Sequence, residues 1–142
     1  MWNRHRAREA AVQILYSWEV GRTDAAQAVA AYWAGHEGDP PPEKLRRFIM
    51  ELVETTVARV DEIDALIAAS AENWRVSRMA VLDRLILRMA VGEMLSEDER
   101  QPGIIIDEAL KLARTFSTDE AVKFINGVLD GVHRRRGGEP GH

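Results

Sequence analysis

The sequence predicts an all-α protein, and two patterns carry that reading: apolar residues recur with a period near 3.6 in almost every segment, and strand-like alternation is scarce. Glycine, proline and capping residues divide the periodic stretch into about seven helices. At 142 residues and 46% hydrophobic, the chain suffices for one domain, or two small lobes sharing a core, burying roughly 68–70% of its unfolded surface.

The first helix spans residues 3–20, with Asn3 as N-cap and Gly21 as stop. The second starts after Thr23 and ends near Gly35. Residues 35–44 hold three consecutive prolines, which cannot continue a helix but lead into a third over residues 43–59. A fourth covers residues 61–70, and residues 71–75 form a joint taken as the boundary between lobes 1–72 and 73–134 of one domain, 1–134.

A fifth helix is predicted over residues 77–96. Met79, Leu82, Leu85, Ile86, Met89 and Val91 spread over most of its circumference, the pattern of a helix at the centre of a bundle. Gly103 ends the next loop, a sixth helix covers residues 105–116, and a seventh opens where Ser117 and Glu120 have capping-box spacing. Residues 135–142 read as a disordered tail.

On a helical wheel, Ala7, Ala11, Ile14, Leu15 and Trp18 form the core face of the first helix. Tyr16 falls nearly opposite, beside His5, Glu9, Val12 and Gln13. Arg4, Arg6 and Arg8 sit in the first turn and a half, where the helix macrodipole disfavours cations. Two readings stand. An anionic ligand accounts for the arginines, and a base stacked on Tyr16 accounts for the ring, which together suggest single-stranded RNA. A frayed terminus with solvated arginines, and Tyr16 beneath a loop, is the other.

The seventh helix has Ala121, Ile125, Val128 and Val132 as its core face, with Phe124 beside the stripe of Glu120, Gly127 and Gly131. Each glycine costs about 1 kcal/mol relative to alanine, so a close approach by another group is the expected compensation. Phe124 is either a core-edge ring or a stacking platform, with Lys123 adding charge. On the fifth helix, Arg84 and Arg88 form a like-charge pair four residues apart. Acids on neighbouring helices or a partner surface must answer them.

The net charge of −4 confines nucleic-acid contact to a local basic patch. Absence of cysteine removes disulfides, thiolate zinc sites and thiol catalysis, and fits a reducing, cytoplasmic setting. No membrane span or export signal is read, since residues 1–8 lack an apolar run. His5, His36, His133 and His142 form no metal-ligand pattern, and no phosphate loop or nucleophile elbow occurs. No enzyme, cofactor or metal site is expected.

Three blocks, RHRAREAAVQILYSWEV, MAVLDRLILRMAVGEML and IIIDEALKLARTFSTDEAVKFINGVLDGV, resemble the NusB transcription antitermination factors in order and spacing. The last block is highly specific, whereas residues 23–47 match only in being helical and variable. The resemblance implies a two-bundle helical protein that binds the boxA element of ribosomal RNA leader transcripts together with NusE on RNA polymerase. By matching positions it assigns RNA contact to Arg4, Arg6, Arg8, Tyr16, Glu120, Lys123 and Phe124, and NusE contact to Asp83 and Arg84. His5, Gly92, Asp107 and Ser117 depart from the family's usual arginine, aromatic, asparagine and glycine. Two alternatives stay open: a protein-interaction module or homodimer that buries the arginines, and an enzyme component, since NusB-like domains also precede RNA cytosine methyltransferases. The latter needs an α/β domain that these 142 residues do not include.

Overall fold

The computed structural model describes residues 1–71, 76–96 and 101–137. Among the described residues the regular elements are all helical: α1 (Arg4–Gly21), α2 (Ala25–Ala34), α3 (Glu43–Ala58), α4 (Val60–Ser70), α5 (Val81–Leu95), α6 (Pro102–Phe116) and α7 (Asp119–Arg135). A short 3-10 helix, Val76–Arg78, precedes α5.

Local chemistry sets the ends. Asn3 caps α1, its Oδ1 accepting from the Arg6 N–H at 2.8 Å, and Arg22 leaves the helix with a φ of 53° in the left-handed region. Asp24 and Gln27 form a reciprocal capping box on α2. Pro102 occupies the first turn of α6, where its missing N–H costs no helical bond. Arg59 interrupts the helical path between α3 and α4.

Three boundaries differ from the sequence reading, each for a visible reason. The predicted helix over 77–96 begins at Val81, because the carbonyls of Val76 and Met79 accept from the Arg84 guanidinium at 3.4 and 3.1 Å and the chain turns there. The cap of α7 is Thr118, not Ser117: Thr118 Oγ1 accepts from the Ala121 N–H at 3.1 Å, while the Ser117 hydroxyl donates to Asp83 Oδ1 at 2.6 Å. Arg135 closes α7 in helical geometry. The rest of the expected tail, 138–142, and most of the expected joint, 72–75, lie outside the described residues.

One continuous apolar core draws on all seven helices. The middle helix α5 packs against α1, α3, α4, α6 and α7 and is buried continuously from Leu85 to Met94, as its all-round hydrophobicity predicts. Gly92 permits this: a Cβ there would lie 3.1 Å from Thr56 Oγ1 and 3.4 Å from Ile63 Cδ1, so any larger side chain requires those neighbours to give way. Gly131 does the same for α7, with the Ser70 Cβ at 3.1 Å, whereas Gly127 faces open space.

Helix α1 is buried on a wider arc than its wheel suggests, because α2, α3 and α5 all pack on it. Val12, placed outward by the wheel, is fully buried, and Trp18, placed in the core, is half-buried at its edge.

Candidate nucleic-acid interface

The N-terminal end of α1 presents two of its three arginines. Arg4 is exposed with its guanidinium 4.7 Å from the Phe48 ring centre, and Arg6 is half-buried with its own 4.2 Å from that of Trp2. Among the described residues no carboxylate lies within ion-pair distance of either. A guanidinium stacked on a ring keeps its edge N–H donors for a second, planar anionic partner.

Arg8 is different, and the expectation that it contacts RNA is corrected here. Its side chain is 3% exposed, with Nη2 donating to Glu93 Oε2 at 2.7 Å and Nε to Oε1 at 3.1 Å. Glu93 lies on the buried stretch of α5, so this bidentate pair ties α1 to the central helix. The sequence carried only a weak signal: Arg8 has i, i+4, i+7 spacing with Val12 and Leu15, but the wheel sets Val12 outward, and the acid that seats Arg8 comes from a remote helix.

His5, standing where an arginine is usual, bridges two acids, with Nδ1 3.2 Å from Glu108 and Nε2 3.4 Å from Glu9. Burial pushes the Glu108 carboxyl up, but hydrogen bonds from Lys111 and His5 outweigh it and hold the group below its ordinary range. His5 thus serves the α1 to α6 contact.

About 15 Å further along α1, at 1.5 Å per residue, Tyr16 emerges as the wheel predicts, 43% exposed. It flanks an apolar groove with Val20, Thr23, Gln27 and Ala31.

The second concentration of predicted residues lies where α5 and α7 begin. A groove of about 480 Å³ is lined by Arg78, Asp83, Thr118, Glu120 and Phe124 among others. Asp83 and Glu120, carried over to different partners, therefore share one site with Phe124. The one-residue shift of the α7 cap releases Glu120 from capping and fixes Asp83 through Ser117. Lys123 is exposed on the same helix. Carboxylates accept from base amino groups and a phenyl ring stacks on a base, so the groove has the chemistry to read a splayed nucleotide.

Arg84, which the resemblance assigns to NusE contact, is held by bonds within the chain. Its Nη2 and Nε donate to Glu19 at 2.8 and 3.1 Å, and Nη1 is taken by backbone carbonyls. Arg88 completes the network, bonding both Asp64 oxygens at 2.8 Å and Glu19 Oε1 at 2.7 Å. Of the two answers that the two-arginine pattern allows, acids on neighbouring helices supply these bonds. Burial raises the Glu19 carboxyl, but hydrogen bonds from Arg84 and Arg88 prevail and hold it below its usual value. Burial likewise opposes the charge on Arg88, and the bonds to Asp64 and Glu19 overcome it. Glu19, Asp64 and Glu93 are the organising acids that sequence reasoning did not single out.

Asp107 is exposed on α6. Among the described residues no group of three or more histidine or acidic side chains is placed to hold a metal ion, and no helix is long and apolar enough to cross a membrane.

Comparison with known proteins gives a consistent picture. The chain is 45% identical over 134 residues to a transcription antitermination protein NusB from Solibacter usitatus, covering 94% of this chain and 90% of the relative. Its fold is similar to that of T. maritima NusB, with a TM-score of 0.84, 28% identity, and coverage of 94% and 92% of the two chains. It is also similar in fold to a chain from the crystal structure of antitermination factors NusB and NusE in complex with dsRNA, with a TM-score of 0.79, 23% identity, and coverage of 94% and 99%. The NusB family model matches residues 5–134, every described helix from the arginine turn of α1 nearly to the end of α7, and the chain belongs to the NusB family.

Proposed function

We propose that the protein is a non-catalytic, cytoplasmic transcription antitermination factor that binds boxA of ribosomal RNA leader transcripts together with NusE on RNA polymerase. One observation carries the RNA-binding part: Arg4 and Arg6 stand on aromatic rings, unpaired by carboxylate among the described residues, on a chain of net charge −4. Phosphate is the partner such guanidinia accept.

In this reading, one helical domain over residues 1–134 carries RNA from Arg4 and Arg6 along α1 past Tyr16, with Lys123 and Phe124 taking a base at the α5/α7 groove. Asp83 and Glu120 line that same groove, so NusE and RNA contacts meet there. Arg8 and Arg84 are positioning residues that hold α1 against α5.

Titrating a labelled boxA-like single-stranded RNA with and without NusE tests the reading. The expected result is salt-sensitive binding that tightens with NusE and weakens in Arg4→Ala, Arg6→Ala and Phe124→Ala variants that remain folded by circular dichroism. The second reading, a homodimer or protein-interaction module, draws on the apolar groove beside exposed Tyr16 and Val20. A dimer that excludes RNA at every salt concentration would favour it.

A further inference from the structure

Beneath Arg6 lies a cluster of rings that the boxA reading leaves unused. Trp2 is anchored by its Nε1, which donates to the Asp39 carbonyl at 2.9 Å. Its ring centre is 6.3 Å from that of Trp33 and 5.7 Å from that of His36. His36 is stacked on Tyr32, 5.8 Å between centres and 26° between planes. All four rings are half-buried, so each still meets solvent.

Two guanidinia cap the cluster. Arg6 lies 4.2 Å over Trp2, and Arg46, exposed on α3, lies 5.2 Å over Trp33. Arg47, the next residue of α3, is also exposed. Among the described residues none of the three has a carboxylate within ion-pair distance. Two cations on neighbouring rings repel each other, and closing the end of α1 against α3 requires only the rings. An anionic ligand resolves that excess, and stacked rings at the surface add the sequence-tolerant π-faces on which unpaired bases pile.

We infer that Trp2, Tyr32, Trp33 and His36 with Arg46 and Arg47 form a second platform for single-stranded RNA, which takes nucleotides flanking the segment held by Arg4 and Arg6. The inference rests on the RNA-binding reading above. The platform is built largely from residues 23–47, which carry none of the functional positions that the resemblance assigns, so it extends the RNA path beyond Arg4 and Arg6.

The test compares a boxA-like core RNA with two longer RNAs, extended by a few unpaired nucleotides at the 5′ or the 3′ end, by fluorescence anisotropy. For the wild-type protein one extension should tighten binding about tenfold, within the range of base stacking on aromatic rings. In Arg46→Gln/Arg47→Gln that gain should vanish while affinity for the core RNA stays within about threefold, and the log–log salt slope on the longer RNA should fall by about 0.7 per lost phosphate contact. Tyr32→Ala, which removes the ring stacked on His36 and leaves the Arg6 seat on Trp2, should lose the gain without changing the slope when its circular dichroism spectrum is unchanged. If neither extension tightens wild-type binding, or the gain survives in Arg46→Gln/Arg47→Gln, the platform is overturned while the boxA reading stands. Failure of the wild-type protein to bind even the core RNA with NusE present overturns the RNA-binding reading, and the platform with it.

Discussion

Arg6 and Arg8 are separated by one alanine on the same helix, yet they belong to two regions governed by different physics. Arg6 and Arg4 stand at a surface of rings with no carboxylate opposite among the described residues, whereas Arg8 is sealed in the interior on Glu93. At the other end of α1, Glu19 draws Arg84 and Arg88 into a second internal network. Arginine is common to both regions. What differs is whether the fold brings an acid from a distant segment to face it, and that decides whether a guanidinium is spent on stability or left for a ligand.

The largest effect should come from the interior. Arg8→Ala takes the bidentate guanidinium away from the buried Glu93 carboxylate and should cost about 3–5 kcal/mol, a large share of a domain's stability, read from urea unfolding. Arg8→Met combined with Glu93→Leu removes both charges and should recover most of that loss. If Arg8→Ala unfolds at the wild-type urea midpoint yet loses RNA affinity, the division between the two arginines collapses.

Next in size is the helix crossing that holds this interior together. Gly92→Tyr forces a ring toward Thr56 and Ile63 and should destabilise by about 1–3 kcal/mol. A neutral or stabilising result would show that α3 and α4 can yield at this crossing.

The acid limb of stability sharpens the comparison from the other end of α1. The Glu19 and Glu108 carboxyls are held below their ordinary range when folded, so each binds a proton less readily in the folded chain than in the unfolded one. Their contribution is complete above the ordinary carboxylate value, about 4.3 for glutamate, and is lost as pH falls through the lower folded value. Melting temperature should therefore hold near neutrality and drop below about pH 4, and Glu19→Gln should flatten part of that drop. An unchanged acid profile in Glu19→Gln would remove Glu19 from the stabilising network.

The smallest effect on stability should come from the ring-stacked arginines. Arg6→Ala removes a cation over Trp2 worth about 0.5–1 kcal/mol at an exposed site, so its unfolding curve should move little.

The helices, the central place of α5 and the outward Tyr16 were legible because they depend on local periodicity and caps. The three prolines and Asn3 acted within a turn of where they stand, whereas the stop expected at Gly21 is made one residue later by Arg22 in the left-handed region. The fate of Arg8 and Arg84 was not legible in the same way, since Glu93 and Glu19 lie 85 and 65 residues away in the chain. The cap of α7 slipped by one residue for a related reason: Asp83, remote in sequence, claims the Ser117 hydroxyl. The groove that unites Asp83 with Glu120 and Phe124 was likewise invisible as a site, because two helix starts had to meet in space before its residues shared a surface.

The central claim is that Arg4 and Arg6 grip RNA while Arg8 holds the fold, and the salt dependence of binding tests it most directly. The log–log slope for single-stranded boxA-like RNA should fall by about 1.4 in Arg4→Ala/Arg6→Ala, two contacts at about 0.7 each, while the circular dichroism spectrum stays that of the folded protein and the melting temperature drops by only a few degrees. A slope identical to that of the wild-type protein would contradict the claim.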